Sequence, residues 1–182
     1  MRLILLRHGE SEYNRRGLCN ADPAVPVPLT PAGLSQARAA ARQLADAPIR
    51  RVFVSRLRRA QETAAIVNAC HGAHIRVDAR LDDRNTGFED LPVADYLDTQ
   101  RRAPDPFGWK APGGESYHEL VARVHDFLAE VCALDEAAVL VVTHHQVMQA
   151  AAGYFQRLAP ADMWRVWVDN GAMLEFDTAD AC

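Results

Sequence analysis

Two histidines, several arginines and a pair of adjacent aspartates stand where the apolar runs of this chain give out. The run 2–6, RLILL, ends in Arg7, His8 and Gly9, and the run 51–55, RVFVS, leads into Arg56, Arg58 and Arg59. The run 75–81, IRVDARL, precedes Asp82, Asp83 and Arg84, and 138–143, AVLVVT, precedes His144 and His145. If the four runs are strands of one open α/β sheet, these residues share its carboxyl edge, where such sheets bind ligands. The set suits a phosphoryl group. Guanidinium forks match phosphate oxygens in pairs and stay charged at working pH. Neutral imidazole is a nucleophile, and neighbouring positive charge disfavours its protonation. A carboxylic acid can protonate a departing alkoxide and afterwards take a proton from water. Arginines and a second histidine can neutralise the developing charge, so this chemistry needs no metal and no cofactor. Singly, each cluster also has a structural reading, as a turn, a solvated helix start or a metal-binding pair. Their agreement on one edge favours chemistry.

The elements that must hold this edge are legible as periodicity. Thr30-Pro31 opens a helix, threonine as N-cap and proline at the first helical position, with Leu34, Ala37, Ala41 and Leu44 recurring behind it. A second helix spans 60–70. Ser116 and Glu119 have capping-box spacing before a helix that carries Leu120, Val124, Phe127, Leu128 and Val131 on one face. Residues 145–155 read as helix. WRVWV (164–168) and AMLEFD (172–177) flank Asp169-Asn170-Gly171 and predict a hairpin. Between 82 and 115 prolines at 92, 104, 106 and 112 break the pattern, which predicts a loop-rich insertion beside the site. Strands alternating with helices predict an α/β fold: a mostly parallel central sheet, helices on both faces and an antiparallel edge.

Bulk properties narrow the function classes. A chain of 182 residues with 49% hydrophobic and 24% charged residues suits one globular domain, 1–182. A formal net charge of −4 gives no pull towards nucleic acid or membrane. All but one of the 20 Lys and Arg residues are arginine, the exception being Lys110, so arginine abundance alone carries no weight. Cys19, Cys70, Cys132 and Cys182 are scattered, without CxxC pairing, which fits a reducing compartment. The N-terminal apolar run is too short for a signal peptide or a membrane span, and the chain reads as cytoplasmic.

The motifs resemble the histidine phosphatase superfamily, the group that includes cofactor-dependent phosphoglycerate mutase. Arg7-His8-Gly9-Glu10-Ser11 matches its opening pattern, with Asn14 at the family's asparagine. Residues 28–37, PLTPAGLSQA, match PLTxxGxxQA, and Ser55 to Ala64 match SxLxRAxxTA, which aligns Arg59 with the phosphate-binding arginine. PGGES is 112–116, and VVTHH places His144 at the second histidine. The resemblance implies a phosphoglycerate mutase-like fold and a covalent mechanism. His8 attacks phosphorus, while Arg7, Asn14, Arg59 and His144 hold the phosphoryl oxygens. The family pattern LxExxxG reads Leu81 to Gly87 here, so Asp83 stands where glutamate is usual, one methylene shorter. Asp82 and Glu89 are the alternatives for the general acid. The family's glycine after the second histidine is His145 here, which either faces away or lines the pocket.

A phosphatase acting on a small phosphorylated metabolite is the function expected. Phosphoglycerate mutase, an isomerase using the same phosphohistidine, is the runner-up; such mutases are longer and enclose the site to keep water out. A phosphate-binding module without catalysis is the third reading. Tyr96, Phe107, Trp109, Arg101 and Arg102 are candidates for specificity because loops beyond a catalytic edge carry it. Glu115 is a candidate substrate contact or helix-starting residue. His71, His74, His118 and His125 read as surface positions. Oligomeric state has no signature in the sequence.

Overall fold

The computed structural model describes residues 1–181; the fourth cysteine, Cys182, lies outside them. In chain order the elements are β1 (Arg2–Arg7), α1 (Glu12–Arg16), α2 (Pro31–Leu44), β2 (Ile49–Val54), α3 (Arg58–Asn68) and β3 (His74–Val77). Then follow α4 (Val93–Arg101), α5 (Tyr117–Cys132), β4 (Ala138–Thr143), α6 (His145–Gln156), α7 (Pro160–Met163) and β5 (Met173–Asp177). The strands form one sheet in the order β3-β2-β4-β1-β5. Neighbours pair in parallel except β5, which runs antiparallel to β1 at one edge. This is the expected architecture: a mostly parallel sheet with helices on both faces and an antiparallel edge.

Alternation along the strands divides the core into two layers. Leu3, Leu5, Phe53, Val139 and Val141 face α5 and α6, meeting Leu120, Phe127, Val131 and Met148. Ile4, Leu6, Val52, Val54, Leu140 and Val142 face α2 and α3, meeting Leu44, Ala60, Ala64 and Val67. β4 lies at the centre with all six residues buried, so its sequence is an unbroken apolar run. The caps form as their residue types require: Thr30 Oγ1 accepts from Gly33 N at 3.0 Å, and Ser116 and Glu119 close a reciprocal box. α1 has only five residues, too few for a periodic pattern, and starts with its own box between Ser11 and Asn14.

Two expectations are corrected. The run 75–81 is not one strand. Asp78 accepts from Arg80 N at 2.9 Å, a local side-chain bond that turns the chain into a 3₁₀ turn at Ala79–Leu81. The stretch 82–115 holds one helix of nine residues, α4, which begins after Pro92, where a missing N–H costs nothing. WRVWV is not a strand, and no hairpin forms. The carbonyls of Trp164 and Val166 each accept from Gln149 Nε2 at 3.0 Å, and that of Val168 accepts from Arg7 Nη1 at 2.7 Å. Side chains of the site thus take the places a partner strand would fill. The turn at Asp169-Asn170-Gly171 exists, with Gly171 at φ 77°, but it delivers the chain to β5 against β1.

Candidate active site

The chain leaving β1 is gripped by the start of α2. Gly9 and Gly33 allow a backbone contact that side chains would block: a Cβ on Gly9 would meet Gly33 O at 2.3 Å, and one on Gly33 would meet Glu10 O at 2.1 Å. Gly9 N–H donates to Thr63 Oγ1 at 3.1 Å, so this glycine serves the approach to α2 and α3 and not an open anion site. Glu10 N donates to Gln36 Oε1 at 2.8 Å, and Thr30 N to Glu10 O at 2.9 Å. The PLTPAGLSQA segment is therefore a brace for the loop that carries His8. A second brace comes from the turn before β5, where Asn170 Nδ2 donates to His8 O at 3.0 Å.

His8, Arg59, His144 and Asp83 converge beyond the carboxyl ends of β1, β2 and β4. His8 is buried, and its Nδ1 lies 2.7 Å from Gly9 O. A carbonyl only accepts, so Nδ1 carries the proton and Nε2 keeps its lone pair. Arg59 caps that lone pair with Nε at 3.1 Å. The rest of its guanidinium reaches Asn20 Oδ1 at 2.6 Å, Asn20 O at 2.9 Å, Asp83 Oδ2 at 3.2 Å and His144 Nδ1 at 3.3 Å. The two imidazole centroids are 4.9 Å apart. Burial, then Arg59 and Arg7, hold His8 well below the usual 6.5; burial, then Arg59 and His8, do the same for His144. Both rings are neutral bases at neutral pH.

Adjacent aspartates divide two tasks. Asp82 turns inward and is buried, accepting from Ser55 Oγ at 2.9 Å, Arg56 N at 2.8 Å and Arg56 Nε at 2.6 Å. With its proton on Asp82, Ser55 Oγ accepts from His144 Nε2 at 2.8 Å. This chain from Asp82 through Ser55 to His144 leaves Nδ1 of His144 facing Arg59. Asp83 turns outward to the cavity, its carboxylate 3.7 Å from His144 Nδ1. Arg123 secures the backbone beneath it, donating to Arg80 O at 2.6 Å and Asp83 O at 3.4 Å. Glu115 holds Arg123 in a bidentate pair at 2.6 and 2.8 Å, so its carboxylate is engaged away from substrate. Arg123 and the Ser55 link escaped the sequence reading because helical and strand periodicity carries no signal for either.

The cavity over this cluster has a volume of about 320 Å³ and is lined by Arg7, Asn14, Arg59, Asp83 and His145 among others. Arg7 uses Nη1 on Val168 O, while its buried Nε has no partner among the described residues. Asn14 Oδ1 accepts from Ser11 N at 3.0 Å and Asn170 Nδ2 at 3.3 Å, leaving its amide NH2 for the cavity. His145 lines the wall, its Nδ1 3.2 Å from Val168 O and its ring beside Trp167. Glu89 is turned elsewhere, accepting from Asn20 Nδ2 and from Ala21 N at 2.9 Å. Of the aromatic and arginine candidates in 82–115, Tyr96 lines the cavity; Phe107 packs on Tyr117 and Trp164, and Arg102 is exposed and pairs with Asp98 at 2.7 Å. Among the described residues no cluster of three or more His, Cys, Asp or Glu is placed to hold a metal ion. No helix among them is long and apolar enough to cross a membrane.

Comparison with known proteins gives the family and its fold. The family model of the histidine phosphatase superfamily (branch 1) matches residues 3–181. An adenosylcobalamin/alpha-ribazole phosphatase of Salmonella typhi is 28% identical over 191 residues, covering 100% of this chain and 91% of its own. A 6-phosphofructo-2-kinase/fructose-2,6-bisphosphatase of Caenorhabditis elegans is 33% identical over 161 residues, covering 84% of this chain and 34% of that protein. The solved mycobacterial glucosyl-3-phosphoglycerate phosphatase, in complex with VO3, superposes with a TM-score of 0.81 at 27% identity, covering 96% of this chain and 90% of that one.

Proposed function

The chain belongs to the histidine phosphatase superfamily, branch 1, and from that membership we propose that it hydrolyses small phosphomonoesters through a phosphohistidine on His8. The observation that carries this reading is the position of Arg59, which touches the nucleophile, the second histidine and the candidate acid at once. A phosphoryl group entering the cavity takes over the Arg59 donors and uncovers Nε2 of His8. Nε2 attacks phosphorus as the ester P–O bond breaks, and Asp83, as the acid, gives its proton to the departing alkoxide. Water then attacks the phosphohistidine, Asp83 accepts its proton, and inorganic phosphate leaves. Arg7, Asn14, Arg59 and His144 surround the oxygens on which charge accumulates. His144 Nδ1 donates to an oxygen only when protonated, so substrate or solvent must supply that proton. The names of the relatives above point to chemically different phosphoesters, and the reading assigns selectivity to the cavity wall.

Phosphate release from p-nitrophenyl phosphate, with chelator present and no bisphosphoglycerate added, tests the reading. Turnover that disappears in His8→Ala while the thermal melt is retained supports it. Unchanged turnover in His8→Ala removes the nucleophile, dependence on added metal ion removes the metal-free mechanism, and dependence on bisphosphoglycerate points to a mutase.

A further inference from the structure

The direction of the Arg59 guanidinium is set from outside the sheet. Its Nη1 donates to Asn20 Oδ1 at 2.6 Å and its Nη2 to Asn20 O at 2.9 Å, so one residue holds both terminal nitrogens. A guanidinium is planar, and fixing those two nitrogens fixes where Nε points. It points at His8 Nε2, 3.1 Å away. Asn20 is held in turn. It is 7% exposed, its Nδ2 donates to Glu89 Oε1, and Ala21 N donates to Glu89 Oε2 at 2.9 Å. Cys19 N donates to Leu91 O at 2.9 Å and Asp90 N to Cys19 O at 3.1 Å, so 19–21 is laced to 89–91 by side chain and backbone alike.

The amide of Asn20 is the adaptor in this line. It donates to a carboxylate on one side and accepts from a guanidinium on the other, without a charge of its own. A carboxylate in its place would pair with Arg59 directly and neutralise charge that a phosphoryl group needs. Among the described residues Asp83 is the one carboxylate paired with Arg59. We propose that Asn20 is the positioning residue that aims Arg59 at His8 and the phosphoryl oxygens, and that Glu89 fixes Asn20 for that task. This rests on the phosphatase reading above and adds two residues that act through Arg59. The hold on Nη1 persists when a phosphoryl group displaces His8 and His144 from the guanidinium.

The test is steady-state kinetics of the full chain on a panel of p-nitrophenyl phosphate, a nucleoside 5′-monophosphate, phosphoserine and fructose 1,6-bisphosphate. Wild type is compared with Asn20→Leu, Asn20→Asp, Glu89→Gln and the double variant Asn20→Asp/Glu89→Gln, each below its melting temperature. Asn20→Leu is expected to lower kcat by about 10–10²-fold on every ester. Its kcat/KM should also begin to fall at a higher pH than in wild type, because burial and then Arg59 hold His8 below the usual 6.5. Glu89→Gln should lower kcat less, again on every ester. Asn20→Asp sets two carboxylates oxygen to oxygen, and adding Glu89→Gln restores a donor facing an acceptor. The double variant should therefore exceed Asn20→Asp in kcat by about threefold or more, although Glu89→Gln alone is harmful. If Asn20→Leu fails to melt cooperatively, the two chains carrying Asn20→Asp make the decision. A kcat within about twofold of wild type in Asn20→Leu overturns the positioning role, as does an unmoved pH profile. A loss confined to KM for one ester overturns it too, by placing Asn20, which lines the cavity, against substrate. A double variant no better than Asn20→Asp overturns the part of Glu89. If wild type turns over no ester, the phosphatase reading itself falls, and the rise in melting temperature with inorganic phosphate decides for Asn20. That rise should be smaller in Asn20→Leu, and an equal rise overturns the proposal.

Discussion

Arg59 and Arg84 are buried arginines on the same cavity, 25 positions apart in the sequence, and their surroundings differ. Arg59 belongs to the floor, where each of its donating nitrogens meets an acceptor on His8, Asn20, Asp83 or His144. Arg84 belongs to the wall, where neutral partners hold one nitrogen and the other two have none among the described residues. Floor residues come from the ends of β1, β2 and β4, whose backbone is tied into the sheet. The wall comes from 82–101, which includes α4, and from 164–168, whose carbonyls are satisfied by the side chains of Gln149 and Arg7. A fully paired floor is pre-organised for one chemical step whatever the ester carries. The wall is lined by side chains of mixed chemistry, among them Tyr96, Leu97, Trp164 and Trp167, so contacts there depend on what the ester carries. Substitutions in the floor should therefore lower kcat on every substrate, and substitutions in the wall should move KM on some.

The largest expected effect is at the proposed nucleophile. His8→Ala should reduce turnover by about 10⁴-fold or more on every ester, because the covalent route is lost. Residual activity within tenfold of wild type would break the distinction between floor and wall.

Next come the paired aspartates. Asp83→Asn should lower kcat by about 10²–10⁴-fold on alkyl phosphates and far less on p-nitrophenyl phosphate, whose leaving group departs without a proton. Asp82→Asn should lower both to the same extent, since it acts by holding Ser55 and Arg56. The reverse pattern would exchange their roles. Ser55→Ala leaves Asp82 and His144 Nε2 each short of a buried partner and should cost about 1–3 kcal/mol in thermal or denaturant melts. A cost near zero would mean that the chain from Asp82 to His144 contributes nothing to the fold.

Acid should weaken the floor before it unfolds the rest. His8, His144 and His145 all have folded pKa values below 6.5 through burial and neighbouring arginines. Below pH 6.5 the unfolded chain binds protons at these rings that the folded chain refuses, so their contribution is complete above that pH and is lost as pH falls. The melting temperature should decline between pH 7 and pH 5, and less steeply in His145→Gln. A flat profile would show that the rings titrate normally. The same shifts mean that His8 should impose no loss of kcat/KM with an apparent pKa near 6.5.

The smallest effect should come from the exposed end of α4. Arg102→Ala removes an i,i+4 pair with Asp98 on the surface, worth a few tenths of a kcal/mol, and should leave kinetics across the panel within about twofold. A selective loss on anionic esters would extend the wall to α4's outer end and blunt the contrast with Arg84.

Much of this protein was legible without coordinates. Apolar runs of strand length, each stopping at a polar cluster, suffice to predict a parallel sheet with chemistry on its carboxyl edge, because a buried strand can hold no ionisable group until it emerges. Thr30-Pro31 and Ser116-Glu119 mark helix starts because capping is a local bond. The motifs name His8, Arg59 and His144. The motif alignment favours Asp83 as the acid; only the tertiary structure shows Asp82 turned onto Ser55 and Arg56 while Asp83 lines the cavity. Asp82 sits in extended backbone, φ −65° and ψ 153°, where successive side chains point opposite ways, so which aspartate meets the cavity depends on how the chain leaves β3. It also decided that WRVWV is no strand: its alternation is strand-like, but Gln149 and Arg7, distant in sequence, claim its carbonyls. The tie between Glu115 and Arg123 and the idle nitrogens of Arg84 belong to the same class. Each depends on what a side chain meets across the fold, and neither residue type nor spacing encodes that.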